Sequence, residues 1–293
     1  MSGPDQPVPE SQSEPAVGYD SYWHDIHHDG AEVAARRVLP LVFQLADIES
    51  VVDVGCGYGA WLSVAGDLGA RALVGVEGPW AVDWRDRGMF DPRLEIVFQD
   101  LEHSIELERR FDLAVCLETA EHLSPERGPG LIDELCCLAP VILFSAALPG
   151  QGGYNHFNEQ PLSAWVREFA AHRYRPLDLL RRRFWDDKDV PFWYAQNLML
   201  FVTESRRSET ESRAAALPPL DDAAGVDLVH PKLAHMGGRL TDPAEWPERI
   251  PWLRDPKQIG VRDRVRLAVG LPGASLRALR RRWKRYKSGK LFG

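Results

Sequence analysis

Four side chains able to bind a cation or move a proton sit in two short stretches: Glu118, Glu121 and His122 in Glu118-Thr-Ala-Glu-His122, and His156 in Asn155-His-Phe-Asn-Glu159. Spacings of three and four residues put two carboxylates and an imidazole on one side of a helical turn. With the second imidazole they make a ligand set suited to Mg²⁺, Mn²⁺, Fe²⁺ or Zn²⁺. The same residue types also serve without an ion: His156, Glu121 and His122 are candidate acid-base groups, with His156 facing the substrate. Asn155, Asn158 and Glu159 shape the loop around His156, and Gly150, Gly152 and Gly153 let it bend.

These residues need a scaffold, and the apolar runs supply one. Val51-Val-Asp-Val54 feeds a turn with glycines at 55, 57 and 59, and Ala72-Leu-Val-Gly-Val76 ends in Glu77. Leu94-Glu-Ile-Val-Phe98 ends at Gln99-Asp100-Leu101, Phe111 to Leu117 ends at Glu118, and a fifth strand spans Pro140 to Ser145. Helices are expected near 60–69 and 125–138. Asp53, Glu77, Asp100 and Glu118 then close four strands on the edge where doubly wound sheets bind ligands. Glycines without Cβ let a ligand lie against the main chain, and an acid at position 77 can accept two ribose hydroxyls. A tight turn with no ligand is the simpler reading of the glycines alone. The pattern is G-x-G-x-G, not the dinucleotide G-x-G-x-x-G, and no second nucleotide-binding half follows.

Asp53-Val-Gly-Cys-Gly-Tyr-Gly59 with Glu77 and Asp100 resembles the class I S-adenosylmethionine-dependent methyltransferases across about residues 30–205. The resemblance implies an α/β, Rossmann-like, seven-stranded and mostly parallel sheet, with an N-terminal cap and a C-terminal extension. It implies that Asp53, Gly55, Gly57 and Gly59 border the methionine part of the cofactor and that Glu77 takes the ribose. Asp100 and Leu101 would face the adenine, and Leu117 would line the same site. Glu118, Glu121, His122 and His156 are similar in order to the metal ligands of small-RNA 3'-terminal 2'-O-methyltransferases. A Glu-His-Leu run after the fourth strand also occurs in metal-free relatives as packing. The loop over 145–165 is similar to that of methyltransferases in sugar, polysaccharide and natural-product pathways, which implies O-methylation of a small hydroxylated acceptor. N- or carboxyl-methylation and a noncatalytic cofactor-binding scaffold are the alternatives.

Composition bounds the rest. The chain has 293 residues, 44% hydrophobic and 27% charged, enough for one sizeable core with appendages. Its four cysteines form no C-x-x-C pair, and the N-terminus lacks a basic start before an apolar core, which suits a cytoplasmic protein. Residues 1–17 read as a disordered leader, 18–50 as a cap and helix, and 51–203 as the cofactor-binding domain. A linker is expected over 204–225, an irregular extension over 226–260 and a basic amphipathic tail over 261–293. Later strands are expected near 176–181 and over 194–202, after a helix from 161 to 171. His24, His27 and His28 suit a lid better than a second metal cluster, and Trp193 and Tyr194 suit core packing better than stacking on a sugar.

The tail holds eleven Lys or Arg against one acid, Asp263, and its net +10 leaves about −18 on residues 1–260 from a total of −8. Leu276, Leu279, Trp283 and Tyr286 share one helical side amid arginines, a pattern that suits an anionic membrane surface or an acidic partner and equally a solvated tail with a few residues docked on the domain. The acidic remainder would repel nucleic acid. The expected partner at the site is a small-molecule acceptor.

Overall fold

The computed structural model describes residues 21–153, 155–214 and His230, with backbone alone for 21–29. Seven strands form one sheet: β1 (Ser50–Val54), β2 (Ala72–Glu77), β3 (Glu95–Phe98), β4 (Leu113–Leu117), β5 (Val141–Ser145), β6 (Tyr174–Leu177) and β7 (Met199–Thr203). Their order is β3-β2-β1-β4-β5-β7-β6. The first five pair in parallel, and β7 runs antiparallel to both β5 and β6. This is the Rossmann-like arrangement expected from the sequence, and its order reverses beside β1, where such sheets bind ligands.

Alternation along the strands divides the core. Val141 and Leu143 face one cluster with Val51, Leu113 and Leu200, while Ile142 and Phe144 face the other with Val52, Ala114 and Phe201. Side chains of a strand point alternately to opposite faces, so a sheet covered on both sides needs apolar residues at every position. Helices α1 (Ser21–Leu45) and α2 (Ala60–Asp67) cover the first face. Helix α3 (Val82–Asp86) follows β2, and Trp84 of that helix packs on Tyr58 of the glycine turn at 4.6 Å between ring centroids.

Helices α4 (Gly128–Leu138) and α5 (Leu162–Ala171) cover the second face through Leu131, Ile132, Leu135, Trp165, Val166 and Phe169. Phe169 stacks on Phe201 at 3.9 Å and is fully buried. Truncating such a residue to alanine costs about 3–5 kcal/mol.

Three local expectations need correction. The strand placed at 176–181 lies at 174–177, and residues 181–184 form helix α6. Its Pro176 is tolerated because β6 is an edge strand paired only to β7. The run at 194–202 is strand only from Met199; Pro191 precedes helix α7 (Phe192–Asn197) with an extended backbone suited to a helix start. Residues 204–214 of the expected linker form helix α8, although it has no apolar stripe. Ion pairs at four-residue spacing, Arg207–Glu211 and Arg213–Glu209, support it, and Arg213 also bridges to Asp47 at 2.9 Å. The leader, the rest of the linker and the basic tail lie outside the described residues, as does the extension apart from His230. Among the described residues no helix is long and apolar enough to cross a membrane.

Candidate active site

Beyond β1 the chain turns at Gly55, Gly57 and Gly59 with φ of 78, 54 and 78°, in the left-handed region that glycine alone enters without strain. A Cβ on Gly55 would lie 2.3 Å from Thr119 Oγ1, so the turn also packs too closely against the β4 exit for any side chain. Glu77, at the end of β2, accepts the Gly57 N–H at 2.7 Å and the Gly78 N–H at 2.8 Å. It therefore fastens the glycine turn to the neighbouring strand. Burial raises its pKa to about 7 against the lowering pull of those two N–H groups. Asp53 is buried with Oδ2 lacking a hydrogen-bond partner among the described residues, and burial and then the Glu77 charge raise its pKa well above the usual range.

The loop after β3 is braced from below. Arg127 donates to the Leu101 carbonyl at 2.8 Å and the His103 carbonyl at 2.9 Å, and Glu102 accepts from Ser124. Leu101 is buried while Asp100 is exposed and caps the N–H of Glu102. Leu117 is buried at the end of β4. Trp80, which the sequence reading passed over, lies across Gly78 and is partly exposed beside Glu77. An aromatic three residues past a strand-ending acid was the available signal.

The exit of β4 differs from the helical turn expected there. Glu118 has φ of 50°, and only Ala120–His122 form a single 3-10 turn. Glu118 thus stands outside the turn, so helical spacing does not align it with Glu121 and His122. Its carboxylate accepts Gln151 Nε2 at 3.0 Å and Asn197 Nδ2 at 3.1 Å. Asn197 donates to Gln151 Oε1 as well, at 2.9 Å, so α7 and the loop after β5 meet on Glu118.

Glu121, His122 and His156 do come together, with one ligand atom from each lying within 4.8 Å of the others. Glu118 is not in that group. Glu121 is fully buried, and among the described residues neither carboxylate oxygen has a hydrogen-bond partner. The Glu121 and Ala147 N–H groups approach it without reaching hydrogen-bond geometry, and burial followed by the Glu118 charge drives its pKa well up. An unpaired buried carboxylate is costly unless a cation or proton compensates it.

The loop holding His156 is laced to the same turn. The Phe157 and Asn158 N–H groups donate to the Glu121 carbonyl at 2.8 and 3.0 Å, and Asn158 Nδ2 donates to the Ala120 carbonyl. His122 Nδ1 lies 3.2 Å from the Asn155 carbonyl and His156 Nδ1 lies 3.0 Å from Glu159 Oε1. Each ring then donates from Nδ1, the usual outer support of a metal-binding imidazole, and in His156 this leaves the Nε2 lone pair for a ligand. The two rings meet edge to face at 4.8 Å.

Among the aromatics, Tyr194 is buried against Trp61 at 5.4 Å, as core packing requires. Side chains of His24, His27 and His28 fall outside the description.

Residues 22–179 match the family model described as a methyltransferase domain, more than half of the chain. The fold and the glycine turn define a class I methyltransferase, and the chain belongs to this methyltransferase-domain family. It is an S-adenosylmethionine-dependent methyltransferase.

A search of curated proteins returned no match. Among solved structures, the sugar N-methyltransferase KedS8 from Streptoalloteichus sp ATCC 53650 is 17% identical, with a TM-score of 0.51 over 69% of this chain and 99% of that one. The methyltransferase domain of bacterial CtHen1-C is 18% identical, with a TM-score of 0.43 over 59% and 98%. Magnesium protoporphyrin IX methyltransferase (ChlM) from Synechocystis PCC 6803 with bound SAH is 16% identical, with a TM-score of 0.44 over 66% and 90%. At these identities the likeness is one of fold.

The residues present fit the cofactor. Asp53 offers an unpaired buried oxygen, the glycines bare backbone, and Glu77 a carboxylate for hydroxyl donors.

Proposed function

We propose that this methyltransferase acts on a hydroxyl of a sugar-like or natural-product small molecule, with a divalent cation held by Glu121, His122 and His156. The observation that carries this reading is Glu121, a fully buried carboxylate with no donor on either oxygen beside two imidazoles whose Nδ1 atoms are already engaged. Glu121, His122 and His156 would hold such an ion as one carboxylate and two imidazoles, a donor set suited to a divalent cation. A bound divalent ion supplies Lewis acidity that lowers the pKa of a hydroxyl on it.

The chain's own groups do the rest. Asp53, Gly55, Gly57, Gly59, Glu77, Asp100, Leu101 and Leu117 hold and orient the methyl donor, and alignment of an in-line displacement is worth roughly 7 kcal/mol or more at its best. In the transfer the acceptor oxygen would form a bond to the methyl carbon as the carbon–sulfur bond breaks, leaving the donor as a neutral thioether, and the hydroxyl proton would pass to solvent water. Glu118 holds Gln151 and Asn197 against the β4 exit.

A second reading has its own support. His156 paired with Glu159 through Nδ1 is also the arrangement of a general base, with Nε2 free to take the hydroxyl proton without any ion. Exhaustive chelation separates the two. The cation reading expects methyl transfer to stop and to return with added Mn²⁺ or Mg²⁺, whereas full activity after chelation leaves His156 as the base. An amine acceptor needs neither ion nor strong base, so activity on an amine that persists in His156→Ala would displace both.

A further inference from the structure

Three donors converge on Glu159, which is not one of the three clustered side chains. Its Oε1 lies 3.0 Å from His156 Nδ1 and accepts the Gly152 N–H at 2.8 Å, and its Oε2 accepts the Gly150 N–H at 2.7 Å. Gly150 and Gly152 have φ of 84 and 68°, backbone conformations that turn nearby N–H groups inward around an anion.

Both Glu159 oxygens are already placed as acceptors of backbone N–H groups, so the imidazole atom facing the carboxylate is the one that carries the proton. The opposite nitrogen is then bare. That nitrogen sits where the main chain has no side chain to offer: a Cβ built on Gly153 would lie 2.1 Å from His156 Nε2. His122 also donates from Nδ1, to the carbonyl of Asn155, whose own φ is 57°.

We propose that Glu159 is a positioning residue whose carboxylate locks His156 as the Nδ1–H tautomer, with Nε2 presented toward Glu121 and His122. The inference rests on reading that cluster as a cation site for its consequence, but the lock itself is a property of the ion-free protein. A residue that merely stapled the loop would hold the chain without choosing the tautomer. Glutamine at this position can still accept a glycine N–H, yet it brings an amide in place of a charge.

The test is ¹⁵N–¹H correlation of the imidazole side chains in the full, metal-free chain, with Mn²⁺ titration in parallel. Wild type should show His156 predominantly protonated at Nδ1. Glu159→Gln should lose that preference and bind Mn²⁺ roughly 10–100-fold more weakly, and Glu159→Asp, which keeps the charge on a shorter arm, should fall between. Wild-type His156 found mainly as the Nε2–H tautomer would overturn the proposal even if no variant folds. So would Glu159→Gln with an unchanged tautomer and unchanged Mn²⁺ affinity. A wild type that binds no Mn²⁺ but loses its Nδ1–H preference in Glu159→Gln keeps the lock and removes the cation reading.

Discussion

At the strand ends, two buried acids, Glu77 on one side and Glu121 on the other, are held in opposite ways. On the donor side, around β1, β2 and the loop after β3, Glu77 takes two backbone N–H groups from its own neighbourhood and Arg127 braces the loop at 101–103. On the acceptor side, beyond β4 and β5, Glu121 has no donor on either oxygen, while Glu118 beside it takes side-chain amides from Gln151 and Asn197. A carboxylate paired with its own backbone is ready for neutral hydroxyl donors. One left bare next to two oriented imidazoles is suited to a cation. Under the proposed function, the difference would put methyl-donor recognition in local backbone and acceptor activation in side chains gathered from distant segments.

The sharpest way to break this division is to remove the acceptor-side ligands. Glu121→Gln or His156→Ala should lower methyl transfer by about 10² or more, with cofactor affinity changed by no more than about threefold in calorimetric titration; a matching loss of cofactor binding would show that the halves are one site. On the donor side, Glu77→Ala removes a charged acceptor worth about 1.5–3 kcal/mol. Cofactor affinity should fall roughly 10–100-fold while Mn²⁺ affinity holds, and the reverse pattern would invert the assignment.

Gly153→Ala is a finer probe, because its Cβ would meet His156 Nε2. Mn²⁺ should bind about tenfold more weakly, within the range seen when a ligand's support is disturbed, and unchanged binding would mean that the ring has room to move.

The smallest expected effect is a pH dependence of opposite sign for stability and for cofactor binding. Glu77 titrates near 7 in the folded protein against a usual 4.5, so the native state holds a proton there that the unfolded chain has lost. Its contribution to stability is fully present below about 4.5 and is lost as pH rises through about 7. Ribose hydroxyls need the carboxylate, so cofactor affinity should rise roughly tenfold from pH 6 to pH 8. Glu77→Gln should flatten that rise, and a slope that survives the substitution would assign it to another group.

The donor side was the more legible from sequence, for a physical reason. Its residues close consecutive strands of a parallel sheet, so the periodicity that gives the strands also gives their ends: Asp53, Glu77 and Leu117 lie at strand ends as expected, with Asp100 two residues past β3. The acceptor side depends on side-chain orientation across long separations. Helical spacing aligned Glu118 with Glu121 and His122, but the left-handed Glu118 breaks the helix before it starts. No periodic signal announces that Glu159 grips His156, or that Asn197 at the end of a six-residue helix reaches Glu118. Helix α8 escaped for a related reason, since ion pairs rather than an apolar stripe hold it.

The central claim is that the bare Glu121 carboxylate and its two imidazoles hold a divalent cation. Crystals of the full chain soaked in Mn²⁺ and measured at the manganese absorption edge test it directly. The account predicts one anomalous peak within coordination distance of Glu121, His122 Nε2 and His156 Nε2, absent in His156→Ala. No peak there in wild type at saturating Mn²⁺, or a peak held by other residues, would contradict it.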